Sequence, residues 1–178
     1  MQTNLKIIGR RFRESCDELF ESAYIAGRVI DRPPPVDPAR RQIGSVVGFG
    51  GWQIRGSLSV RAGVEFFLET HPSFKHKADC PEPDLLDWAG EMTNLALGRF
   101  KNNMLPHGLD FQVTVPVSIL RGNMMDADAQ RDASFDYHFR TPHNAVSIGV
   151  SFNLAPGVTV METPGGKVAL RPGKPIDL

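Results

Sequence analysis

A chain of 178 residues suits one domain with a substantial core, and 41% hydrophobic with 22% charged residues is ordinary for a soluble globular protein. Twenty basic residues balance twenty acidic ones, so overall charge gives no support to nucleic-acid binding, which favours a basic face. No segment approaches the roughly 20 apolar residues of a membrane span, and Met1 to Arg13 has no apolar stretch of the signal-peptide kind, so no membrane insertion and a cytoplasmic location are expected.

From Asn4 to about Gly27, Ile8, Phe12, Cys16, Leu19, Phe20, Ala23 and Ala26 recur at three- and four-residue steps. This is an amphipathic packing helix, with Gly27 as its stop. Cys16 reads as a small buried hydrophobe, and with Cys80 as the second of only two cysteines no structural disulfide is expected. Asp31 to Arg41 carries Pro33, Pro34, Pro35 and Pro38, which excludes a helix interior or central strand and predicts a loop. Gln42 to Phe49 and Gln53 to Val60 are predicted strands by their β-branched residues and alternation. Gly48, Gly50 and Gly51 lack the Gly-Lys-Ser/Thr and following helix of a phosphate-binding loop. They are assigned to a hairpin turn needing positive φ.

Ala62 to Thr70 is a predicted short helix ended by His71-Pro72. His71, His76 and Cys80 match no standard zinc spacing and are read as a solvated loop, so no metal site is expected. The longest helix runs from about Asp84 to Met104, with Pro81 and Pro83 before it and Pro106 and Gly108 after it. Phe111 to Leu120 is a predicted strand with Phe111, Val113, Val115 and Val117 on one face. Pro116 within it implies an edge or a bulge. Met124 to Arg131 is a polar connection. Phe135 to Arg140 and Ala145 to Leu154 form a predicted closing hairpin around Thr141-Pro142-His143-Asn144. Four prolines punctuate 155–178, which adds at most one short strand near Val158 to Met161 and then a tail. No repeat and no second domain are evident, so the chain divides into a domain of residues 1–154 and an extension of 155–178.

The long helix carries the candidate chemistry. At about 100° per residue, Asp87, Glu91, Asn94, Gly98 and Lys101 fall within an arc of roughly 80°. Leu85, Trp88, Ala89, Met92, Leu95, Ala96 and Phe100 fall on the opposite side. A polar face alone is also what any solvated amphipathic helix shows. Gly98 sets this face apart, because a glycine in a helix interior costs about 1 kcal/mol relative to alanine, a cost better tolerated where something approaches the backbone. Gly90 adds a second such position beside Glu91.

The run Asp87-Trp88-Ala89-Gly90-Glu91-Met92-Thr93-Asn94-Leu95-Ala96-Leu97-Gly98-Arg99-Phe100-Lys101 resembles the signature helix of the CheC/CheX/FliY chemotaxis phosphatases. In that signature an Asp or Ser is followed four residues on by Glu and three further by Asn, here Asp87, Glu91 and Asn94. Gly98 and Lys101 match the CheX-type extension. Flanking blocks agree in order: Val46-Val47-Gly48-Phe49-Gly50-Gly51, Gly56-Ser57-Leu58, Gly108-Leu109-Asp110-Phe111 and Pro116-Val117-Ser118-Ile119-Leu120-Arg121-Gly122. The resemblance covers about Phe12 to Leu154. CheC-type members carry two active helices. The first helix here has no second Glu-x-x-Asn, since Glu14 is followed by Asp17 and Glu18 by Glu21, which points to the CheX type.

The resemblance implies an α+β, CheX/CheC-like fold, with an antiparallel-rich sheet packed against long helices, one of them exposed. It implies a phosphatase acting on the aspartyl phosphate of a CheY-like response regulator. Asn94 would hold the attacking water, Glu91 would meet the receiver's active-site lysine, and Asp87, Gly98 and Lys101 would contact the partner. The chain would bind no cofactor, the Mg2+ belonging to the receiver, and would form a homodimer with sheet edges meeting. A non-catalytic scaffold that binds a receiver or a flagellar switch component is the alternative, although the presence of both Glu91 and Asn94 speaks against a degenerate site. For a third class, a small-molecule sensor, the sequence offers no convergent polar pocket residues.

Overall fold

The computed structural model describes residues 2–35, 40–73, 80–121 and 133–162. Its elements are α1 (Gln2–Ser22), β1 (Arg28–Ile30), β2 (Gln42–Gly50), β3 (Ile54–Gly63), α2 (Val64–Thr70), α3 (Glu82–Met104), β4 (Gln112–Val113), β5 (Val117–Arg121), β6 (Ala133–Arg140) and β7 (Ala145–Leu154). The strands make one antiparallel sheet in the order β1-β6-β7-β3-β2-β4, with β5 also pairing β2. The fold is thus α+β, an antiparallel sheet packed with helices as expected.

Alternation along the strands sets the layers. Val47, Leu58, Val60, Ile148 and Val150 are buried beneath the helices, whereas their neighbours Ser57, Ser59, Ser147 and Gly149 lie on the other face. Phe12 of α1 meets Phe100 of α3 edge-on, with ring centroids 5.9 Å apart. Both rings are almost fully buried, and truncating either would cost about 3–5 kcal/mol by the usual price of a phenylalanine-sized cavity.

Several local expectations are corrected. α1 ends at Ser22 rather than near Gly27. Tyr24 adopts φ 53°, and its N–H donates to Glu21 O while Ile25 N–H donates to Phe20 O. This is the paired 6→1 and 5→2 pattern of a Schellman stop. Gly27 serves a different end: a Cβ there would lie 2.4 Å from Arg140 O, so it admits the close approach of β1 to β6. β1 itself was not anticipated. The β2–β3 hairpin forms, but positive φ occurs at Gly108 and Gly157 and not at Gly48, Gly50 or Gly51. Gly51 is required by proximity instead, since a Cβ would stand 2.8 Å from Asp110 O.

The stretch predicted as one strand from Phe111 to Leu120 is split around Pro116 into β4 and β5. Its four apolar residues do not share a buried face: Phe111 is buried, whereas Val113, Val115 and Val117 are exposed. Val158 to Met161 forms no strand. That segment is nevertheless held to the body, because Asn4 Nδ2 donates to Val158 O at 2.8 Å and Val160 N–H donates to Asn4 Oδ1 at 3.1 Å. The expected connection from Met124 to Arg131, and the chain beyond Glu162, lie outside the described residues.

Candidate functional site

α3 begins after Pro81, with Glu82 and Asp84 in its first turn and Lys101 in its last, signs that complement the helix dipole. It ends through a 3-10 turn, Leu105–His107, closed by Gly108 in the left-handed conformation at φ 84°. Leu85, Ala89, Met92, Ala96, Leu97, Phe100 and Met104 bury one side of the helix. Two polar contacts to other elements fix its rotation: Trp88 Nε1 donates to Thr70 Oγ1 at 3.1 Å, and Asn103 Nδ2 donates to Ser15 Oγ at 3.0 Å. The buried Thr93 hydroxyl is satisfied within the helix, donating to Ala89 O at 2.7 Å. With the helix so fixed, Asp87 and Glu91 are exposed and Asn94, Gly98 and Lys101 are half-buried along one outward line. At 1.5 Å per residue that line is about 21 Å long.

The structure brings the five predicted residues onto this one surface. Among the described residues, the side chains of Asp87, Glu91 and Asn94 have no hydrogen-bond or ion-pair partner. Carboxylates and an amide left in this state are available to another molecule. Lys101 differs, its Nζ standing 3.4 Å from Asp110 Oδ1, and it ties the end of α3 to the loop before β4. Gln53 supports the same loop, its Nε2 donating to Gly108 O at 2.8 Å. This places the exposed Trp52 of the β2–β3 turn beside the C-terminal end of the helix. Neither Asp110, Gln53 nor Trp52 was singled out from sequence. A signal existed for Trp52, because an aromatic ring in a glycine-flanked turn has no strand face on which to be buried.

The two helix glycines separate cleanly. A Cβ on Gly90 would lie 3.3 Å from Ser118 Oγ and 3.6 Å from Pro116 Cγ, so Gly90 lets α3 settle against β5 and its polar neighbour pair Ser118–Ser45, 3.1 Å apart. A Cβ on Gly98 would meet nothing within 4 Å. Among the described residues no internal packing accounts for Gly98, which lies on the same line as Glu91 and Asn94.

Cavities of about 760 Å³ and 400 Å³ occur elsewhere on the described residues, and no stripe residue lines either. Among the described residues no group of three or more His, Cys, Asp or Glu is placed to hold a metal ion. His71 is nearly buried against Trp88, ring centroids 5.8 Å apart, and accepts the Ser73 N–H at 3.1 Å; it is not the solvated residue expected. His76 lies outside the described residues. Cys16 and Cys80 are both free thiols. Burial pushes the Cys16 pKa well up, with the neighbouring Asp17 charge adding to it. No described helix is long and apolar enough to cross a membrane.

Residues 43–140 match the family model described as chemotaxis phosphatase CheX. Among solved structures, the chain is similar to the chemotaxis protein CheX of Vibrio vulnificus, with 21% identity, 82% of this chain and 96% of that one covered, and a TM-score of 0.68. A CheC-like chemotactic protein of Shewanella oneidensis aligns at 20% identity over 83% of this chain and 98% of the other, with a TM-score of 0.67. The CheX of Borrelia burgdorferi, solved in complex with CheY, BeF3 and Mg2+, aligns at 16% identity over 81% and 96%, with a TM-score of 0.63. No curated protein sequence matches.

Proposed function

The chain belongs to the CheX chemotaxis phosphatase family, and we propose that it accelerates hydrolysis of the aspartyl phosphate on a CheY-like receiver by inserting the Glu91–Asn94 face of α3 into the receiver's active site. The observation that carries this reading is an unpartnered pair of side chains about one helical turn apart, Glu91 exposed and Asn94 half-buried, on a helix whose opposite side is locked into the core. An acyl phosphate is intrinsically reactive, so a catalyst gains most by holding water in line with the phosphorus. The Asn94 amide has a carbonyl to accept from that water and an NH2 to donate. Glu91 is placed to pair with a lysine of the partner, a charge-assisted contact that orients the docked surfaces. Asp87 extends the acidic surface, and Gly98 lets the partner approach the helix backbone. Lys101 acts at the edge of the same face.

A stripe on the outer side of a helix suits this chemistry, because the receiver supplies the pocket and the phosphoryl group. Magnesium belongs to the receiver in this reading, as the complex of the Borrelia protein with CheY and Mg2+ supports. The reaction would take place in the cytoplasm, where such receivers work. We further assign the contact between sheet edges in a homodimer to β5, an outer strand on the β2 side, where Val117 and Ile119 are exposed, as is Val115 just before the strand. An apolar edge strand of this kind is a template for pairing with another strand.

The decay of a phosphorylated receiver, followed with and without this protein, separates the enzyme from a scaffold. The proposed activity predicts accelerated loss of phosphate at catalytic protein concentrations. Tight receiver binding with an unchanged decay rate would establish the scaffold instead.

A further inference from the structure

On the sheet face turned away from α3 lies the larger cavity, of about 760 Å³, and strand register builds it. Arg61 of β3 is the direct partner of Ser147 on β7, and Ser147 of His138 on β6. Their chain neighbours Val60, Val146 and Tyr137 are buried under the helices, so these three residues face the opposite way. Strands stand about 4.8 Å apart, which sets Arg61 and His138 roughly 10 Å from each other with only the small Ser147 between them. His138 Nδ1 lies 3.0 Å from Ser147 Oγ. Pro33, Pro34 and Pro35 wall the groove on one side, and Arg40, Arg140 and His143 line it at other points. Asp136 and Glu65 are its acidic residues. Three arginines and two histidines thus converge on one concavity against two carboxylates, a lining with more cationic than anionic groups in a chain of zero net charge.

A second observation concerns Arg140. Its direct cross-strand partner is Arg28, and like charges placed directly opposite destabilise an antiparallel pair. An anion lying between the guanidinium groups and the groove reverses the sign of that interaction.

We propose that this groove binds a small phosphorylated metabolite, with the guanidinium groups of Arg61 and Arg140 gripping its phosphate. Guanidinium presents paired N–H donors that match phosphate oxygens bidentately. The volume falls within the roughly 300–1,000 Å³ of small-ligand sites and exceeds what one phosphate fills, so the remainder of the ligand lies against the proline wall. The site is on the opposite side of the sheet from Glu91 and Asn94 and stands independently of the phosphatase reading.

Calorimetric titration with pyrophosphate at constant ionic strength tests it, on the wild-type chain and on Arg61→Gln, Arg140→Gln and the control Arg55→Gln. Arg55 is exposed and outside the groove. One-to-one binding is expected, weakened by at least about tenfold in Arg61→Gln and Arg140→Gln, as the loss of a charge-assisted hydrogen bond predicts, and unchanged in Arg55→Gln. Arg140 is exposed, so its substitution reads the site even where Arg61→Gln disturbs the sheet. No saturable binding by the wild-type chain up to about 10 mM, an affinity too weak for a specific site, overturns the proposal. So does equal weakening in all three variants, which marks diffuse charge attraction.

Discussion

Gly98 is where the proposed docking surface differs most from a merely solvated helix face. Helix interiors disfavour glycine by about 1 kcal/mol relative to alanine, and none of the described residues occupies the space over this one. Gly98→Ala is therefore expected to raise unfolding stability, by up to about 1 kcal/mol, while weakening receiver binding, because the added methyl stands in the docking surface. Denaturant unfolding and receiver titration on the same variant check both halves; a more stable variant with unaltered receiver affinity removes Gly98 from the interface. Cys16 gives a second prediction. Its folded pKa is raised by burial, so above the unfolded value the unfolded chain holds fewer protons than the native one. Stability must then fall as pH rises, from about pH 8.5–9 upward, at up to about 1.4 kcal/mol per pH unit for this one thiol. Tyr137, whose pKa burial and its hydrogen bond to Asp17 also raise, adds the same sign at higher pH. Cys16→Ala should flatten the first part of that slope in unfolding curves taken between pH 8 and 10.

Among the elements, α3 was legible in sequence almost to the residue, since its proline and glycine boundaries, its apolar side and its polar stripe all carry local signals. The edges of the sheet were not. β1 is three residues long, and its existence depends on pairing with β6 and on the backbone approach that Gly27 permits, neither of which is a local property. The valines after Phe111 read as a buried strand face because alternation records apolarity and not what covers it. In the structure Val115, between β4 and β5, and Val117, at the start of β5, are exposed at the sheet edge beside β2. The groove across the sheet was invisible for a related reason: Arg61 is distant in sequence from the hairpin that carries His138 and Ser147 and meets them only through register. The dimer we propose through β5 makes the exposed edge testable. A lysine within an edge strand opposes pairing, so Val117→Lys should convert a dimer to a monomer in light scattering while the far-ultraviolet spectrum is retained. A wild-type chain that is already monomeric at micromolar concentration contradicts the assignment.

For the molecule as a whole, the two sheet faces have different work. One face binds the helices and so holds α3 at a fixed rotation, its acidic and amide groups outward. The other is open, small-residued and cationic at one end. Docking rigid side chains on a well-packed helix into a receiver limits the loss of conformational freedom on binding, which is where rate and affinity are won when the chemistry requires only an oriented water. The account stands most directly on Asn94. Dephosphorylation of a CheY-like receiver should be measured alongside receiver affinity for the wild-type chain and for Asn94→Ala. The predicted result is a loss of stimulated hydrolysis on the order of 100-fold or more, the scale seen when a single oriented polar group is removed from a reacting centre, with affinity changed little. Stimulated hydrolysis at the wild-type rate in Asn94→Ala would contradict it.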